Sequence, residues 1–80
     1  MQYYIETIEQ TKIDGVLNEY GKTEKVGDLN SALVKYYNKL AEVQNDIGKS
    51  HTYMLIKVID SQGYEIKKEY VGEYVEEVTE

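Results

Sequence analysis

The sequence predicts a small α+β domain of order β-β-α-β-β, with one antiparallel four-stranded sheet and one helix packed on one face. Three observations predict it. Residues 28–47 carry a helical apolar stripe, the segments on both sides read as strands joined by glycine turns, and 80 residues make one domain. One helix cannot bury its stripe alone, and four strands cannot hide both faces. The economical solution is a two-layer packing in which the second sheet face meets water or a partner.

The N-terminal stretch "QYYIETIE" reads as a strand. Tyr3 and Ile5 share a face, whereas Ile8 falls on the opposite one, and a bulge near Glu6–Thr7 would reconcile them. Asp14-Gly15 is a hairpin turn signal. Val16 to Thr23 then returns as a second strand with poor alternation, and Gly27 breaks the chain. In the helix, Leu29, Ala32, Leu33, Tyr36, Leu40, Val43 and Ile47 recur at steps of three and four. Asp28 is placed to cap its start, with Ser31 helping, and Gly48 to end it in a left-handed turn. Residues 52–60, "TYMLIKVID", are β-branched and apolar enough for a well-buried strand. "DSQG" closes a hairpin, and "YEIKKEY" alternates, with Tyr64, Ile66 and Tyr70 on one face. Lys68 breaks that inner pattern, as a residue at the sheet margin can.

The domain is expected over residues 1–70. Residues 71–80 are expected to be an acidic C-terminal tail, either solvated and frayed or, with its tyrosine, docking on a partner. Five glutamates (Glu69, Glu73, Glu76, Glu77, Glu80) follow Lys68, and no lysine does. Read as a helix, this stretch would be weakened by Gly72 and its valines, and its last glutamates would oppose the helix dipole.

Composition excludes several function classes. The net charge is −6 and the basic residues are all lysine, which argues against a broad nucleic-acid surface; nucleic acid is not an expected partner. The chain lacks cysteine, so disulfides and thiolate metal sites are out. The longest apolar run, Tyr53 to Ile56, is far too short for a membrane span. The N-terminus has no basic region followed by an apolar stretch, so a cytoplasmic location is expected.

Motifs for catalysis fail on spacing. "GKS" at 48–50 resembles the end of a phosphate loop, but Val43 stands where that loop needs glycine, and the helix precedes rather than follows. His51 is the only histidine, and the acids show no calcium-loop spacing, so neither a metal nor a cofactor is expected. Ser50 and His51 are adjacent, and neighbours on an extended chain point apart, so they make no nucleophile–base pair. The reading is a non-enzymatic chain.

All nine aromatic residues are tyrosine. A tyrosine ring buries like phenylalanine while its hydroxyl stays in water, which suits a thin domain with few deep sites. Tyrosine also suits contact surfaces. Tyr36 belongs to the helix's apolar stripe, and Tyr37, about 100° further round, lies on its flank. The candidate protein-interaction residues are Tyr37, Tyr53, Met54, Tyr70 and Tyr74.

The stretches "MQYYIE", "LNSALVKYYNKLAEV" and "YMLIKVIDSQGYEIKKEY" resemble short uncharacterised proteins of prophage regions and mobile elements in low-GC Gram-positive bacteria. Their pattern looks like "M-x-Y-Y-[VI]-E", a helix carrying an aromatic, then "M-x-[IV]-[IV]-[DN]-x-x-G". The loop after the helix is longer here than in that pattern. The resemblance implies a similar fold and a mobile-element setting, and it supplies no functional residues.

The function expected is binding to a protein partner or to a second copy as a homodimer, through an exposed sheet face bearing tyrosines and Met54 or through an edge strand. An acidic inhibitor that mimics DNA against a host nucleic-acid-binding protein is the alternative, motivated by net charge −6. A weaker one is single-strand nucleic-acid binding through Tyr53 with Lys57, and Tyr64 with Lys67 and Lys68.

Overall fold

The computed structural model describes residues 2–76. The elements are β1 (Tyr3–Ile13), β2 (Val16–Val26), α1 (Leu29–Asp46), β3 (His51–Asp60) and β4 (Glu65–Gly72), the order the sequence predicts. The strands form one antiparallel sheet in the order β2-β1-β3-β4.

Local chemistry sets the connections. Asp14 and Gly15 both take positive φ, 52° and 80°, and Ile13 pairs directly with Val16. A two-residue turn of that kind matches the twist of the strands it joins. The Asp28 carboxylate accepts from Ser31 N at 2.7 Å and from Ser31 Oγ at 2.8 Å, capping α1. Gly48 follows the helix at φ 86°, in the left-handed region. In the second hairpin, the Asp60 carboxylate accepts from Gln62 N and Tyr64 N, and Gly63 N donates to Asp60 O.

Cross-strand partners share a face. Ile5, Thr7 and Glu9 pair with Val58, Ile56 and Met54, and this is the side that α1 covers. The core there comprises Ile5, Val26, Ala32, Tyr36, Val43, Met54, Ile56, Val58 and Val71, with Tyr3, Leu40, Ile47 and Ile66 packed against it. Of β2, Val26 alone joins this core, so that strand is exposed along most of its length.

Three expectations need correcting. The bulge near Glu6–Thr7 is absent: pairing to β3 is continuous from Tyr3 to Gln10 and slips between Gln10 and Thr11. Ile8 therefore stays on the face away from the helix, 41% exposed. The sheet has two partly apolar faces, so nothing forces Ile8 inward. Second, a register shift lies between Val58 and Ile59, opposite Lys67 and Glu65. It leaves Ile66 unpaired and packed on the core, while Lys68 and Tyr70 face away from it. The irregularity explains the break at Lys68 and separates Ile66 from Tyr70. Third, the last strand runs to Gly72 rather than ending near Tyr70, and Val71 is part of the core. Residues 77–80 of the expected tail lie outside the described residues.

Candidate functional site

The helix leaves the other face of the sheet uncovered, and that face carries apolar and aromatic side chains. Tyr4, Glu6 and Ile8 of β1 lie there beside Ile59, Lys57 and Leu55 of β3, and Leu55 pairs with Tyr70 of β4. Tyr53 lies at one end. Its ring centroid is 6.4 Å from that of Tyr70, and 5.6 Å from that of Tyr74 in an edge-on arrangement. Exposure is high for apolar groups: Tyr70 is 66% and Tyr74 48% exposed. Lys25 is on this face opposite Tyr4, and Lys57 and Lys68 form a directly opposed pair. Glu6, Glu19 and Glu65 lie among them, so the acidic excess of the chain is not concentrated here.

The predicted contact residues divide accordingly. Tyr53, Tyr70 and Tyr74 come together on the open face. Tyr37 is exposed but sits on α1, edge-on to Tyr36 at 5.0 Å, on the opposite side of the molecule. Met54 is fully buried under the helix, which corrects its assignment to the exposed face. Its parity along β3 matches Ile56 and Val58, and that parity points inward.

A polar cluster at the end of α1 was not legible as a site. Glu9, 3% exposed, shares the helix-side face with Ile5 and Thr7. Its Oε1 lies 3.1 Å from Lys39 Nζ and 3.0 Å from His51 Nε2. His51 Nδ1 lies 2.6 Å from Asp46 Oδ2, which also accepts from Ser50 Oγ and from His51 N. The Ser50 and His51 bonds hold the Asp46 carboxyl below its ordinary value. Tyr20, paired with Glu9 on β2, has its phenol pushed up by burial and then by the Glu9 charge.

Ser50 lies in a turn, so it and His51 do not point apart as two residues of an extended chain would. Both nevertheless engage the same Asp46 oxygen, and the Ser50 hydroxyl donates to that carboxylate rather than to the imidazole. The arrangement lacks a nucleophile–base pair. What it does is tie the C-terminal end of α1 to β1 and β3. The signal in the sequence is parity: unbroken alternation from Ile5 puts Glu9 inside, where a carboxylate needs a cationic partner.

An open groove of about 110 Å³ runs between α1 and β2 over Ile5 and Thr7. Of its three lysines, Lys22, Lys35 and Lys39, the last two are engaged by Glu24 at 2.6 Å and Glu9 at 3.1 Å. Among the described residues, no three His, Asp or Glu side chains are arranged to hold a metal ion, and no helix is long and apolar enough to cross a membrane. No model of a known protein family matches the chain, and neither a curated protein nor a solved structure matches it.

Proposed function

We propose that the protein is a non-enzymatic interaction module that self-associates through the open face of its sheet. One observation carries the reading: Ile8, Leu55, Tyr53 and Tyr70 form a continuous apolar and aromatic surface with no element of the chain over most of it. Exposed patches of this kind mark contact surfaces. The mix of lysines and carboxylates supports a self-complementary contact, since a two-fold pairing sets each patch against itself. The same mix weighs against DNA mimicry, which needs rows of acid. The reading carries with it the cytoplasmic, mobile-element setting expected from the sequence.

Size exclusion with light scattering, at low and high salt, tests this. A dimer at both salts is expected, and Ile8→Lys, at an exposed position, should make it a monomer. A wild-type monomer at both salts would refute self-association. A complex lost only at high salt would instead favour a charge-held interface. Tyr53 and Tyr70 beside Lys57 and Lys68 are the groups that base stacking would use, so the same runs include a single-stranded oligonucleotide. Co-elution at low salt would favour the nucleic-acid reading over this one.

A further inference from the structure

The chain continues past β4 onto the open face. Gly72 stands at φ 76°, and Glu73 N donates to Thr52 O at 3.0 Å. Val75 then meets the side chain of Gln10 as it would meet a neighbouring strand. Val75 N donates to Gln10 Oε1 at 2.8 Å, and Gln10 Nε2 donates to Val75 O at 2.7 Å. Thr52 Oγ1 also donates to Gln10 Oε1, at 2.6 Å, and the Val75 N–H and C=O fix which way the amide points. Tyr74 sets its ring edge-on against Tyr53, and its hydroxyl donates to Glu19 Oε2 at 2.6 Å.

Receptor and segment differ in burial. Gln10 is 3% exposed, although it lies on the face away from the helix, because residues 73–76 cover it. The covering side chains keep part of their surface in water, Tyr74 at 48% and Val75 at 37% exposed. A short segment held by a few partly exposed contacts opens more readily than the strands of the core. Once open, it exposes the Gln10 amide to water, which takes the place of the Val75 N–H and C=O. The groups read are a backbone N–H and C=O and a tyrosine hydroxyl. A second copy of the chain presents the identical set.

We propose that Gln10, Thr52, Tyr53 and Glu19 form a peptide-docking site that takes residues 73–76 from a second copy, so that paired molecules exchange C-terminal segments. The proposal rests on the self-association reading, because two copies held together give each segment a high effective concentration at the other's site. Exchange costs no contact, since the same bonds form within or between chains. Gly72 supplies the hinge, having no side chain to restrict the change of direction.

Two full-length variants test it. Val75→Pro removes the N–H that Gln10 Oε1 accepts and leaves the docking site intact. Gln10→Ala removes the site and leaves the segment intact, with Gln10→Met as its replacement if circular dichroism finds the alanine variant unfolded. Native mass spectrometry reads the wild type, each variant alone, and an equimolar mixture. Exchange predicts at least a fivefold excess of heterodimer over either homodimer in the mixture, because only the heterodimer restores a matched segment and site. Homo- and heterodimers in statistical ratio would overturn exchange while leaving self-association standing. No association in the wild type or in the mixture would overturn both. Heterodimer from the mixture without a wild-type dimer would support exchange and overturn the open-face reading.

Discussion

Replacing Gly72 with alanine should be among the most damaging single-methyl changes in this chain. A Cβ at Gly72 would lie 2.2 Å from Thr52 O and 2.8 Å from Ile47 Cδ1. The left-handed backbone costs a non-glycine residue roughly 1–2 kcal/mol. Forcing extra volume into a packed site adds about 1–3 kcal/mol. The sum, about 2–5 kcal/mol, is a large part of the roughly 4–12 kcal/mol expected of an 80-residue domain. Gly63 is the matched control, since it stands at φ 87° with nothing within 4 Å of its would-be Cβ. Gly63→Ala should therefore cost only the backbone part. Urea unfolding of both variants measures the difference, and thermal melts should separate them by about 5–20 °C, at ~4–8 °C per kcal/mol. Equal midpoints for Gly72→Ala and Gly63→Ala would refute the close approach of β4 to Thr52 and the path of the chain that follows from it.

Met54→Ala should cost about 2–5 kcal/mol by urea unfolding, because Met54 is fully buried; a near-neutral result would return Met54 to the open face. Glu9→Gln should destabilise by about 1–3 kcal/mol, short of the ~3–5 kcal/mol for breaking a fully buried pair, because the Lys39 side chain is 33% exposed. A stabilised Glu9→Gln variant would count against the cluster that joins α1 to β1. The Asp46 carboxyl is held below 3.8 by its bonds to Ser50 and His51. A depressed folded value means that its contribution is complete above the unfolded value and is lost as pH falls below it, through the folded one. Urea midpoints between pH 2 and 7 should therefore fall more steeply below about pH 4 for the wild type than for Asp46→Asn. Parallel curves would remove Asp46 from the network.

The open face and the polar cluster have a common origin in β1. Alternation is unbroken there as far as Gln10, so one parity carries Ile5, Thr7 and Glu9 under the helix and the other carries Tyr4, Glu6 and Ile8 outward. An expectation that both Ile5 and Ile8 must be buried requires a bulge. A two-layer domain does not impose that requirement, since one side of its sheet has no second layer. Glu9 inside and Ile8 outside are the two consequences. The first is compensated by Lys39 and His51. The second contributes to a surface suited to a partner.

Local physics made much of the fold legible. The helix with its Asp28 cap, the turn at Asp14-Gly15, the hairpin closed by Asp60 and Gly63, and the element order all follow from spacing, capping chemistry and permitted φ within a few residues. Whether Tyr53, Tyr70 and Tyr74 would meet did not follow, because it depends on strand order and on the register slip at Val58–Ile59. A slip of one residue moves every later side chain to the other face, and pairing between strands distant in sequence decides it. The same holds for Met54, whose inward parity is set by its partners Glu9 and Val71. It holds also for the segment after Gly72, whose path is fixed by Gln10 and Glu19, 65 and 55 residues from the groups they bind. Short-range sequence determined the elements, and long-range pairing in the folded chain decided which face each side chain serves.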